Sequence, residues 1–143
     1  MIRPVIVTAA LALGVTAVLA QGDPIAERRG IMKGNGAAAR IATQMVKGEV
    51  PYDQAKAQEI FAGFQTAAAK MPGLYPDNSK TGGETTANEK VWSDSAGFKA
   101  AFAKFSEDSK AAAAATKDLD SFKAQWANVV KNCGGCHTTF RKS

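Results

Sequence analysis

An all-α, antiparallel up-down-up-down four-helix bundle is the architecture this sequence predicts, and three observations carry that expectation. Apolar residues recur at three- and four-residue spacing in four separate stretches. Glycine and proline clusters punctuate the intervals, leaving two short links and one long one. No stretch alternates with a period of two for long enough to make a strand. Four amphipathic helices with short links pack best as antiparallel neighbours.

The first helix is expected over about Pro24–Lys47, with Asp23 as N-cap, Pro24 in the first turn and Gly48 as its stop. Gly48 to Pro51 makes a short link. The second runs from about Asp53 to Met71, where Pro72-Gly73 ends it, and Ala57, Phe61, Phe64, Ala68 and Met71 mark its buried stripe. Residues 72–90, with Pro76, Asn78 and Gly82-Gly83, form the long irregular link. The third spans about Val91–Ala115 and carries Phe98, Phe102 and Phe105; its run of five alanines is simply the best helix former repeated. The fourth runs from about Asp118 to Arg141 on a seam of Leu119, Phe122, Trp126, Val129, Cys133, Cys136 and Phe140.

Composition narrows the chemistry. A chain of 143 residues, 45% hydrophobic and 22% charged, suits one globular domain rather than a disordered or collagen-like chain. One histidine excludes any site needing two imidazoles, and two cysteines exclude a four-thiolate metal centre. The net charge of +5 is spread over scattered lysines with no basic run and no aromatic-basic interleaving, which argues against nucleic acid as a partner.

Residues 1–20 read as a cleaved signal peptide. Arg3 gives the positive start, Val5 to Leu19 is almost wholly apolar, and Val18-Leu19-Ala20 has small residues at the cleavage spacing. The apolar run is short for a membrane span of about 20 residues. Residues 21–143 are then one exported bundle domain, with no further segment able to span a bilayer.

Near the end of the fourth helix stands Cys133-Gly134-Gly135-Cys136-His137. A C-x-x-C pair serves as a redox disulfide, as half a zinc site, or as a haem attachment. A redox pair belongs after a strand at a helix N-terminus, where the dipole lowers a thiol pKa, and this pair lies at the C-terminal end of a helix. Zinc needs a second ligand pair, which the chain lacks. The adjacent histidine points to the third reading: two thiols add to the vinyl groups and the next imidazole takes the iron. One such motif means one haem c.

A C-terminal C-x-x-C-H on the fourth helix of an exported bundle resembles the class II cytochromes c, the cytochrome c prime family. The resemblance covers nearly all of Asp23–Lys142 and rests on Arg28 to Met32, Lys47 to Asp53, Trp92-Ser93-Asp94 with Phe98, and Cys133 to Arg141. It implies the bundle, a covalent haem held by Cys133 and Cys136, His137 as proximal iron ligand, and a periplasmic location. Homodimers through the first two helices occur in the family. In typical members the sixth iron position is empty; in the cytochrome c556 branch a methionine fills it. Met32, within Ile31-Met32-Lys33-Gly34-Asn35-Gly36, matches that methionine. Arg28 matches a haem-propionate partner, and Arg141 the basic residue flanking the proximal imidazole.

Geometry supports the choice of Met32. In an up-down bundle the start of the first helix and the end of the fourth share one end. Met45 lies about 20 Å further along the axis at 1.5 Å per residue, and Met71 sits at a helix terminus beside Pro72. Gly30, Gly34 and Gly36 surround Met32, and each interior glycine costs about 1 kcal/mol of helix stability, as expected where a porphyrin must approach the backbone. The functional expectation is a one-electron carrier that docks with redox partner proteins, its iron ligated by His137 and Met32. The alternative is a five-coordinate haem protein that binds nitric oxide or carbon monoxide. An enzyme is not expected, since no second histidine or acid-base pair stands ready over an open iron.

Overall fold

The computed structural model describes residues 22–143, and the expected signal peptide lies outside them. Six α-helices and two short 3-10 turns form the bundle: α1 Pro24–Lys47, α2 Gln54–Lys70, α3 Lys90–Ser93, α4 Ser95–Ala115, α5 Leu119–Val129 and α6 Lys131–Phe140. The 3-10 turns are Met71–Leu74 and Asp77–Ser79. The four expected helices are all present, two of them broken. The third divides into α3 and α4 and the fourth into α5 and α6.

Each long helix starts on an aspartate. Asp23 accepts from the Ile25 and Ala26 N–H groups, Asp53 from Lys56, Asp94 from Gly97, and Asp118 forms a capping box with Ser121. Asp94 therefore explains the first break: its backbone leaves helical geometry (φ −122°, ψ 55°) so that its carboxylate can restart the helix. The second break is subtler. The Cys133 N–H bonds to the Val130 carbonyl, an i to i−3 link, while the Asn132 amide donates to the Val129 carbonyl at 3.1 Å. One tightened turn thus resets the ladder immediately before the Cys133 motif.

The core lies among α2, α4 and α5. Phe61 and Phe122 are fully buried with ring centroids 5.8 Å apart, and Phe64 meets Phe105 at 5.3 Å and Trp126 at 6.2 Å. α1 packs against α2, the Met71–Leu74 turn and α5, leaving a groove between itself and α6.

The long link is a strap rather than a slack loop. Arg28 of α1, 3% exposed, donates from Nη1 to the Leu74 carbonyl and Ser79 Oγ, and from Nη2 to the Ser79 carbonyl and Thr85 Oγ1, all at 2.6–2.9 Å. Its guanidinium also lies over the Tyr75 ring at 4.4 Å. Gly83 comes so close to α1 that a Cβ would stand 2.9 Å from Ile25 Cγ2, and its φ is +51°. At its other end the strap grips α6. The Asn88 N–H donates to the Phe140 carbonyl, its side-chain amide to the Thr139 carbonyl, and the Lys142 N–H to the Thr86 carbonyl.

Candidate functional site

The groove between α1 and α6 has a volume of about 490 Å³, within the range of roughly 300–1,000 Å³ common for cofactor sites. Met32 lines its α1 wall. Cys133, Cys136 and His137 line the opposite wall, and Phe64, Phe102 and Phe105 close the interior. Cys133 and Cys136 are half-buried free thiols, and His137 stands exposed at the mouth. Residues from near both ends of the described chain thus face one cavity.

Local helix geometry explains the α6 wall. Cysteines three apart sit about one turn apart, and both turn into the groove while the intervening Gly134 and Gly135 are exposed. Thr138 and Thr139 hydroxyls back-bond to the Gly134 and Gly135 carbonyls at 2.8 and 3.2 Å, fixing the turn that presents His137. Burial pushes both thiols above their ordinary pKa, so they stand protonated at neutral pH. The His137 pKa is lowered, first by the water that surrounding protein excludes from an otherwise exposed ring and then by the charge of Arg141. A neutral imidazole is the form that can ligate a metal.

Met32 is the methionine of the described residues that lines this groove. Met45 and Met71 are buried in the core, at 2% and 0% exposure, and neither borders it. The glycine argument holds only in part. A Cβ on Gly30, Gly34 or Gly36 would meet nothing within 4 Å, yet only Gly36 lines this groove; Gly34 borders a different one, between α1 and α2.

Arg28 does not line the main groove. It borders a narrower cavity beside it, shared with Tyr75, Met32, Cys136 and His137, and its four terminal N–H groups are all donated to protein. Arg29 and Arg141, both exposed, do line the main groove. Sequence periodicity left the aromatic lining unassigned, because Phe64, Phe102 and Phe105 share the helical stripes of Phe61 and Phe98. Only their placement beside a gap distinguishes them.

The residues present fit a covalent porphyrin. Two thiols and an imidazole lie on one wall, a thioether on the other, an aromatic interior between them, and Gly36 leaves the space a side chain would fill. Two thiols, one imidazole and one thioether are a donor set that suits iron held in a macrocycle.

Comparison with known proteins agrees. The family model described as Cytochrome C' matches residues 23–141. Cytochrome c' of Rhodopseudomonas palustris is 42% identical over 90% of this chain and 88% of its own, and its solved structure superposes with a TM-score of 0.83, covering 86% of this chain and 98% of that one. Cytochrome c-556 of the same organism is 35% identical over 99% of this chain and 97% of its own. An NMR-validated structural model of oxidised R. palustris cytochrome c556 aligns with a TM-score of 0.79, at 31% identity over 86% and 98% of the two chains. A nitric oxide complex of a variant of cytochrome c prime from Alcaligenes xylosoxidans aligns with a TM-score of 0.73, at 26% identity over 84% and 94%. The chain is a member of the cytochrome c' family and carries one covalent haem c.

Proposed function

We propose that this cytochrome is an exported, periplasmic one-electron carrier, not an enzyme, with His137 and Met32 as the two axial iron ligands. The observation that carries this reading is that Met32 on α1 and His137 on α6 line opposite walls of one groove. The haem, when bound, supplies the ferric–ferrous couple. Cys133 and Cys136 would each add a thiol across a vinyl group, and His137, held neutral by its surroundings, would ligate from the α6 side. Met32 would complete the coordination with a thioether that favours the ferrous state. Phe64, Phe102 and Phe105 exclude water from the interior, which limits the solvent reorganisation that accompanies a change of charge. Arg28 contributes positive charge towards a propionate, while its terminal N–H groups stay with the strap. Residues 1–20 direct export and are removed; among the described residues no helix is long and apolar enough to cross a membrane.

A second reading is favoured by one observation. Met32 is only half-buried on the open side of the groove, and a relative of this chain has been solved as a nitric oxide complex. If Met32 stays off the iron, the protein is a five-coordinate gas binder. Absorption spectra of the reduced protein with and without carbon monoxide decide between the two. A low-spin spectrum unchanged by the gas supports the carrier; a high-spin spectrum that shifts at once overturns it.

A further inference from the structure

The α1 wall of the groove is made by Arg29, Met32, Lys33, Asn35, Gly36 and Ala39. Arg29 and Lys33 are exposed, and Gly36 and Ala39 carry no polar side chain. Asn35 is half-buried there, and among the described residues its amide makes no hydrogen bond. The other uncharged polar side chains at the groove are accounted for. Asn132 donates to Asp108 at 2.8 Å and to the Val129 carbonyl at 3.1 Å, and Thr86 is exposed on the strap. Residues three apart on a helix are neighbours, with Cβ atoms about 5–6 Å apart. A helical side chain leans towards the N-terminus, so Asn35 leans over the turn that holds Met32. Gly36 beside it leaves the approach clear, since a Cβ there would meet nothing within 4 Å. Phe64, Phe102 and Phe105, which close the interior, offer the amide no acceptor. Water can serve it while the groove is open. Once a porphyrin fills the groove that water leaves, and an amide without an acceptor carries its full desolvation penalty.

We infer that the Asn35 side-chain amide is the hydrogen-bond donor to the group in the sixth iron position. When Met32 is bound, the acceptor is the sulfur lone pair not spent on the metal; when it is not, the acceptor is the far atom of a diatomic ligand. The inference rests on the placement of Met32 on the wall opposite His137 and deepens the proposed function. A hydrogen bond to the sulfur draws electron density from the thioether and favours ferrous iron, so the amide raises the potential of a carrier. At an open iron the same donor favours diatomic ligands that carry negative charge on the far atom. Asn35 also borders the groove between α1 and α2, so an amide turned that way is the competing arrangement that the experiment must separate.

The probe is carbon monoxide on the reduced, haem-loaded Met32→Ala protein, whose sixth position is open whichever ligand set the wild type has. The infrared stretch of the bound gas reports the donor, because a hydrogen bond at its oxygen draws electron density from the iron into the ligand and weakens the carbon–oxygen bond. Adding Asn35→Leu or Asn35→Ala should raise the stretching frequency, and by the same amount. Thr86→Val in the same background should leave it where it was. A stretch unmoved by loss of the amide, as an Asn35 turned towards α2 would give, overturns the inference. A shift produced by leucine and not by alanine is steric and overturns it too. In a low-spin wild type, Asn35→Leu should also lower the midpoint potential, and an unchanged potential would refute the hydrogen bond to sulfur. The ligation of Met32 fails separately: a reduced wild type that takes up carbon monoxide at once refutes it and leaves the Asn35 result standing.

Discussion

Two halves of this bundle are built to different standards. Among α2, α4 and α5, Phe61, Phe122, Ala57 and Ala112 show no exposed surface and the aromatic rings pack at van der Waals distance. Between α1 and α6 the walls stand apart, Met32 and both cysteines are half-buried, and His137 is exposed. The first half is an ordinary protein interior, where density near that of an organic crystal supplies stability. The second withholds that packing and offers donors instead. Stability and function therefore occupy separate places, and substitutions can address one without the other.

The sharpest way to separate the halves is at the thiols. Cys133→Ala or Cys136→Ala should impair covalent haem loading, read as pigment extractable into acidified acetone, whereas wild-type haem stays with the protein. Freely extractable wild-type haem would refute covalent attachment. In the packed half, Phe61→Ala should cost about 3–5 kcal/mol in chemical denaturation while leaving the spin state of the loaded protein as it was. A spectral change of the same size as that of a groove variant would erase the distinction between halves.

Two methionines make the comparison direct. Met45→Ala should destabilise the fold by about 2–5 kcal/mol with an intact spectrum, since Met45 is buried and does not border the groove. Met32→Ala should cost much less stability yet turn the iron high-spin and open it to carbon monoxide. Both outcomes are read from one pair of proteins, by denaturation midpoint and by absorption. If Met71→Ala, and not Met32→Ala, abolishes the low-spin spectrum, the ligand assignment is wrong while the carrier function stands.

The strap joins the halves, and its anchor is Arg28. Arg28→Ala leaves the Leu74 and Ser79 carbonyls and two hydroxyls without their donor, a loss of about 2–3 kcal/mol. Amide exchange should quicken through residues 71–89 before it does in α4, and unchanged protection there would show that the strap holds without Arg28. The smallest effect belongs to Asp108, which links α4 to α6 by accepting from Asn132 at 2.8 Å and pairing with Lys104. The hydrogen bonds from Lys104 and Asn132 hold its pKa below the ordinary carboxylate value. Its contribution is complete above the unfolded carboxylate pKa and is lost as pH falls through the lower folded one. For so exposed a pair the amount is at most about 1 kcal/mol. Asp108→Asn should flatten the acid limb of the stability curve by that much; an unaltered limb would remove Asp108 from the account.

What could be read from the residues follows the range of the forces involved. α1 is legible to the residue because Asp23, Pro24 and Gly48 act within one turn of its ends. The C-x-x-C-H motif is legible because its chemistry is contained in five consecutive positions. The break at Val130 is not, because it depends on which carbonyl the Asn132 side chain captures. Nor is the role of Arg28, whose partners lie 46 to 57 positions away. Phe61 and Phe64 obey one periodicity and face different surroundings, a fact set by how far α1 stands from α6.

The separation of Met32 from His137 along the chain also orders events in time. Closing a long loop costs conformational entropy that grows as the logarithm of its length, so contacts between distant segments form late. The turn that displays Cys133, Cys136 and His137 needs only hydrogen bonds within α6 and can exist before α1 has docked. The α1 wall is positioned separately, by its own packing on α2 across a short link and by the strap. The two walls of the groove are therefore independent pieces of local structure, and only the closed bundle brings Met32 opposite His137.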